Sequence, residues 1–325
     1  MLRFSVLGSG SSGNSAVVCF GDTRVLIDAG LSARQLCLRL EAIGIDPNSL
    51  TAIVLTHEHG DHAGGLDVFC RKRAPLVYAT SHTCEMVAET VRSRVAWRKF
   101  EAGETFAIEG LRIETFSVPH DAVDPVGFVF RGERTAVGVL SDVGHVTALI
   151  RERLRGVDSL FVESNYDELM LQNDTKRPWS TKQRISSRHG HLSNDQTAEL
   201  VVEIASERLH RVVLGHLSRD CNAPEVATAA IRQRLERAGF PGVDVECARQ
   251  KEALPLRDAG HPAPPVTEAA PEEAPLLLRE PPAEYGNATP SRSPRAAHHG
   301  AADGRRSKRS EPAPPTPLRQ AEWVF

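Results

Sequence analysis

The sequence predicts an α/β fold of packed sheets flanked by helices, and three observations predict it. Short apolar, β-branched runs recur through the first 250 residues, capped amphipathic segments are inserted between some of them, and the strands come in clusters rather than in strict alternation with helices. The β-type runs are 3–7, 16–20, 25–28, 52–56, 76–79, 112–118, 127–131, 136–140, 159–163, 211–215 and 243–247. Ser32 with Gln35 reads as a capping box opening a helix whose face carries Leu36, Leu40 and Ile43, with Gly44 as its stop. Ser193 with Gln196 reads as a second box, ahead of Leu200, Ile204 and Leu209. A third helix starts at Pro224, a favoured first-turn residue, and carries Val226, Ile231 and Leu235.

Composition divides the chain. Of the 21 prolines, 14 lie at or after Pro255, so residues 255–325 read as a disordered Pro/Ala/Arg/Glu-rich tail, unable to bury enough apolar surface to offset chain entropy. Residues 1–254 are expected to form the folded domain, large enough for a full core. The net charge is −3, and the tail holds nine basic and nine acidic residues, which leaves 30 against 33 in the domain. A global basic field is thereby excluded, and any polyanion must be bound by a local patch. Six cysteines without a C-x-x-C pair predict free thiols in a reducing compartment. Glycine and serine interrupt the N-terminal apolar run at once, which argues against a signal peptide or membrane span and predicts a cytoplasmic protein with no membrane partner.

The chemistry concentrates in Thr56-His57-Glu58-His59-Gly60-Asp61-His62, directly after the apolar residues 52–55. A strand end followed by a glycine-containing turn can converge alternating side chains on one point, and H-x-H-x-D-H supplies imidazole and carboxylate there. Later strand-type runs end on the same residue types, at His120, Asp142 and His216. Each alone would be an ordinary loop histidine or cap aspartate. Together they would collect at one edge of a sheet. Ligands of this kind, with no thiolate among them, suit Zn²⁺ or Mn²⁺.

This order of residues resembles the metallo-β-lactamase superfamily over roughly residues 1–250. The resemblance implies an αββα sandwich with two divalent metal ions (Zn²⁺ or Mn²⁺) at one edge. Carried onto this chain, His57, His59 and His120 would hold the first ion, Asp61, His62 and His216 the second, and Asp142 would bridge. Residues 8–15 (Gly-Ser-Gly-Ser-Ser-Gly-Asn-Ser), 118–127, 190–194 and 215–219 further resemble the WalJ (YycJ) type, which is similar to ribonuclease Z. That likeness implies phosphodiester hydrolysis, with 5′-to-3′ exonuclease action on DNA as the expectation. Val143 stands where that type usually has threonine, and Asp220-Cys221 replaces its usual Glu-Asn.

Asp61 would both ligate and orient the nucleophile. His191, before the cap Ser193, resembles the ribonuclease Z histidine that protonates the leaving group, with Glu163 placed to orient it. Asp28, at another strand end, suits support of a ligand histidine. Backbone N–H groups and hydroxyls of residues 8–15 suit an anion, so Ser11, Ser12 and Asn14, together with Ser193 at a helix start, are candidate substrate contacts. Two other readings are open. One is a thioesterase or lactonase resembling glyoxalase II, which also follows its motif with Gly-Gly, as Gly64-Gly65 does here. The other is a non-catalytic, metal-stabilised nucleic-acid-binding protein using the basic residues 305–309.

Overall fold

The computed structural model describes residues 1–260. The first part of the chain contributes β1 (Leu2–Gly8), β2 (Ser15–Phe20), β3 (Thr23–Ile27), β4 (Ala52–Val54), β5 (Leu76–Thr80) and β6 (Ala96–Phe100). There follow β7 (Thr105–Ile108), β8 (Leu111–Ser117), β9 (Val126–Arg131), β10 (Ala136–Leu140), β11 (Ser159–Glu163), β12 (Arg211–Gly215) and β13 (Asp244–Cys247), and finally β14 (Arg257–Asp258). They form two seven-stranded sheets, ordered β14-β1-β2-β3-β4-β5-β6 and β13-β12-β11-β10-β9-β8-β7.

Each sheet begins antiparallel and turns parallel where helices make the crossovers, because parallel neighbours need a long return connection. Thus β3 to β6 are parallel, joined by α1 (Ala33–Ala42), α2 (Gly60–Ala63), α3 (Leu66–Lys72) and α4 (Ser81–Thr90). Likewise β10 to β13 are parallel, joined by α5 (Ala148–Leu154), α6 (Glu168–Asn173), α7 (Trp179–Ile185), α8 (Asn194–Ile204) and α9 (Pro224–Arg237).

Three apolar layers follow from the alternation of side chains along the strands. Phe4, Val18 and Val54 meet Phe128, Phe130 and Val139 between the sheets. Leu36, Leu40 and Phe69 of the helices cover the outer face of the first sheet over Leu26 and Ile53, and Leu200, Ile204 and Ile231 cover the second over Val162 and Val212. The result is an αββα sandwich. The carboxyl ends of β3, β4, β10, β11 and β12 carry Asp28, residues 56–62, Asp142, Glu163 and His216, so parallel strands deliver the polar residues together.

Differences from the sequence reading have physical reasons. Strands β6 and β7 were not predicted: β6 is Ala-Trp-Arg-Lys-Phe and mostly exposed, a charged strand at the sheet edge rather than an apolar run. Ser32 caps α1, but Gln35 does not close the box; its Oε1 accepts from Arg39 Nε at 3.2 Å instead. The box at Ser193 is complete, and Pro224 opens α9. The expected domain boundary after residue 254 falls short. Arg257 and Asp258 pair with β1, and Ala259 is buried with its carbonyl accepting from Ser159 Oγ at 2.7 Å. The remainder of the expected tail, with residues 305–309, lies outside the described residues. No helix among the described residues is long and apolar enough to cross a membrane.

Candidate metal centre

The H-x-H-x-D-H segment leaves β4 as a loop and enters the short helix α2 with His59 as its N-cap. Its backbone is clamped from the opposite side. Asn14 N donates to the Asp61 carbonyl at 2.7 Å and Ala29 N to the His62 carbonyl at 2.7 Å. Gly30 is required by this approach, since a Cβ there would lie 1.6 Å from the Asp61 carbonyl oxygen. Gly65 is fixed equally by backbone, because its Cβ would meet the Leu31 carbonyl oxygen at 1.9 Å. Packing thus requires Gly65 whatever the reaction.

All seven candidate ligands converge. Ligand-type atoms of His57, His59 and His120 lie within 4.8 Å of one another, as do those of Asp61, His62 and His216. Asp142 sits between these groups: its Oδ2 is 3.0 Å from His62 Nε2, and its Oδ1 is 3.8 Å from His120 Nε2. His57, His62, His120, Asp142 and His216 are buried, whereas the Asp61 side chain keeps 16% of its surface exposed. Asp28, Asp142 and His216 have φ of 57°, 53° and 53°, so three strand ends adopt left-handed backbone to turn these side chains inward. Non-glycine residues hold that conformation only where their surroundings enforce it.

The outer nitrogens of His57, His62, His120 and His216 are engaged, which leaves their inner ones facing the centre. His62 Nδ1 donates to Asp28 Oδ2 at 2.7 Å, His120 Nδ1 to the Gly190 carbonyl at 3.1 Å, and His216 Nδ1 to Glu163 Oε1 at 2.8 Å. His57 Nδ1 lies 2.9 Å from Thr56 Oγ1. His57 Nε2 and His216 Nε2 are buried with no hydrogen-bond partner among the described residues. Two orphaned imidazole nitrogens beside two carboxylates are what a cation would satisfy, so the donor set fits divalent metal.

Electrostatics divide the histidines. Burial, reinforced by His62, pushes His57 well below the ordinary histidine value, and burial pushes His120 down to about 4. Burial also disfavours charge on His62 and His216, but Asp142 with Asp61 and Asp28 outweighs it at His62, and Asp142 with Asp61 and Glu163 does so at His216; both are raised well above the ordinary value. Burial opposes ionisation of Asp142 and Asp61 as well. His216 and His62 nevertheless hold Asp142 well below the carboxylate range, and His62 with the nearby His216 holds Asp61 below it.

His191 is brought to the same place. It is buried, its Nδ1 donates to Glu163 Oε1 at 2.6 Å, and its ring centroid is 5.1 Å from that of His216 and 5.3 Å from that of His120. Glu163 is fully buried, and its Oε2 also accepts from Val143 N at 2.9 Å. The backbone amide at position 143 makes this contact, so valine serves there.

The proposed substrate contacts divide. Ser11 is half-buried in the 8–15 loop; Ser12 is exposed, its Oγ accepting from Arg219 Nη2 at 3.4 Å. Asn14 faces inward: its Nδ2 lies 3.2 Å from Asp61 Oδ2 and 3.1 Å from His62 Nε2, and its Oδ1 accepts from Ser9 Oγ and Gly10 N. It braces the centre. Ser193 is fully buried and used as a helix cap, with its hydroxyl donating to Glu168 Oε1 at 3.2 Å, so it presents no group to a ligand. Sequence reasoning gave no role to Thr56, whose hydroxyl contacts Asp28, His57 and His62 together, or to Asn165, whose Nδ2 donates to the His216 carbonyl at 2.7 Å. A hydroxyl residue directly before the first histidine was the one available signal.

Comparison with known proteins agrees with this geometry. The family model described as a beta-lactamase superfamily domain matches residues 23–217. Exodeoxyribonuclease YycJ of Bacillus anthracis is 33% identical over 241 residues, covering 74% of this chain and 91% of the relative. Exodeoxyribonuclease WalJ of Streptococcus pneumoniae serotype 2 is 34% identical over 248 residues, covering 75% and 91%. Among solved structures, Zn²⁺-bound PqqB from Methylobacterium extorquens superposes with a TM-score of 0.61 at 19% identity, over 79% of this chain and all of that one. With the sandwich, the converging histidines and these relatives in hand, the chain belongs to the metallo-β-lactamase superfamily, in its YycJ/WalJ type, and is a metal-dependent hydrolase.

Proposed function

We propose that this enzyme is a two-metal phosphodiesterase that degrades DNA from the 5′ end. The observation that carries the reading is the pair of three-residue groups meeting at Asp142, with the His191–Glu163 pair beside them. His57, His59 and His120 would hold one ion, Asp61, His62 and His216 the other, and Asp142 would serve both. Zn²⁺ or Mn²⁺ suits these ligands. When bound, such ions supply a nucleophile at neutral pH and neutralise charge developing on a phosphoryl group.

The chain's own residues do the rest. Asp61, partly exposed and braced by Asn14, orients the attacking water. Glu163 holds the His191 ring, which delivers a proton to the departing sugar oxygen. DNA as substrate is supported by the names of the two relatives, each of which the chain matches over nine-tenths of its length. All six cysteines are free thiols, which supports the cytoplasmic placement.

The test is purified protein with Mn²⁺ or Zn²⁺ on 5′-labelled single- and double-stranded DNA and on RNA. Early release of labelled mononucleotide from DNA is expected. Hydrolysis of S-lactoylglutathione with no cleavage of any nucleic acid would replace this reading with the thioesterase one.

A further inference from the structure

We propose that a nucleobase of the bound strand stacks on Trp179, in a pocket formed by the α6–α7 insertion beside His191. The inference rests on the nuclease reading and adds how the enzyme holds its substrate.

Residues 167–190 lie between β11 and α8, so the chain leaves the strand that ends in Glu163 and returns at His191. The return is tied to the centre. His191 N donates to the Ile185 carbonyl at 2.8 Å, Asp121 N to the His189 carbonyl at 3.0 Å, and Arg184 pairs with Asp121 at 3.2 Å, one residue after His120. A pocket of about 340 Å³ opens on this insertion, and Tyr166, Leu171, Trp179, Lys182 and Gln183 are among its lining residues. Tyr166 is bridged to Ser193, two residues beyond His191, which ties this side of the pocket to the segment that carries His191.

Three features suit a base rather than an acyl chain or a peptide. The indole of Trp179 is 66% exposed, while Tyr166 and Leu171 at the same pocket are 4% exposed, so a flat hydrophobic surface is presented to solvent over a buried base. Polar groups stand at the rim: Glu168 is an acceptor for an exocyclic amine, and the exposed Gln183 amide can accept or donate. Residues 176–188 hold Lys176, Arg177, Lys182, Arg184 and Arg188 with no acidic residue, in a chain of net charge −3. Lys176, Arg177 and Arg184 are matched by Asp220 and Asp121. Lys182 donates to the Gln172 carbonyl at 2.8 Å and Arg188 to His145 Nε2 at 3.0 Å, and neither pairs with a carboxylate among the described residues, so both charges can meet backbone phosphates. An exposed aromatic among unneutralised cations is how sequence-tolerant single-strand binding is built.

The experiment compares metal-loaded wild type, Trp179→Ala and Trp179→Phe on single-stranded oligonucleotides, one series carrying an abasic nucleotide at successive positions from the 5′ end. Metal content and Tm are measured on each protein to establish integrity. Trp179→Ala should raise KM by about 5- to 150-fold, the range of one lost base stack, and Trp179→Phe by less. In wild type one abasic position should raise KM by a similar factor, and in Trp179→Ala that penalty should vanish. Abasic penalties that are the same in both proteins, or a KM unchanged by Trp179→Ala, would overturn the inference while leaving the nuclease reading intact. Failure of the wild type to cut any oligonucleotide would overturn both.

Discussion

His191 Nδ1 donates to Glu163 Oε1 at 2.6 Å, and the same oxygen accepts from His216 Nδ1 at 2.8 Å. One buried carboxylate thus orients both the candidate proton donor and a candidate metal ligand. Burial would keep Glu163 protonated, but His191 and the hydrogen bonds from both imidazoles hold it below the ordinary carboxylate range. Glu163→Gln must turn an amide N–H toward a donor on one side or the other. Metal affinity should fall about 10- to 100-fold, the usual cost of losing a partner that orients a ligand. Competition with a chelator of known affinity measures it. Unchanged affinity would show that Glu163 serves His191 alone.

Elemental analysis of protein purified with added metal should find about two divalent ions per chain, as the seven converging ligands require. Asp142→Asn should lose both, because Asp142 lies against both groups, whereas His216→Ala should keep about one. Equal losses in the two variants would remove the bridging role from Asp142.

Acid should empty the two groups in order. His62 and His216 are raised by their carboxylates, so protons compete with metal for them at higher pH than they do at the other group. His57 and His120 are lowered by burial, the latter to about 4, so their lone pairs survive to more acid pH. As pH falls, the ion beside Asp61, His62 and His216 should leave before the ion beside His57, His59 and His120. Visible spectra of the Co²⁺-substituted protein during acid titration should show two steps. A single step, or loss beginning at the His57 group, would contradict this division.

How much of this was legible in sequence depended on whether a residue signals by itself or through its neighbours in space. The strands of the core announced themselves by apolar runs, and His57 to His62 by spacing, because a short loop must bring alternating residues together. His120, Asp142 and His216 were readable as polar ends of apolar strands. The edge strand β6 was not, since exposure lets it carry Arg98 and Lys99. Asn14 and Ser193 look alike in sequence, as polar residues in glycine- or cap-rich loops. Only packing shows one bracing Asp61 and the other buried as a helix cap. Thr56 acquires its role from Asp28, 28 residues away, through contacts that periodicity cannot report.

The revised domain boundary makes its own prediction. A chain ending at residue 254 loses the β14–β1 pairing and the Ser159–Ala259 hydrogen bond that a chain ending at residue 260 retains. At about 1 kcal/mol per hydrogen bond, the shorter chain should melt roughly 3–8 °C lower. Calorimetry on the two truncations decides it; equal Tm values would show that β14 adds nothing to the sheet.

If this centre breaks phosphodiester bonds of nucleic acid with His191 delivering the proton, loss of that ring must be felt according to the leaving group. The most direct measurement compares His191→Ala with wild type on 5′-labelled DNA and on bis(p-nitrophenyl) phosphate, with metal content determined for each. His191→Ala should retain both metals and lose about 10²- to 10⁴-fold in kcat on DNA. The loss should be much smaller on the nitrophenyl ester, whose leaving group departs without a proton. Equal losses on the two substrates with metal intact would contradict proton delivery, and would leave His191 as a residue that positions the centre rather than one that acts on the leaving oxygen.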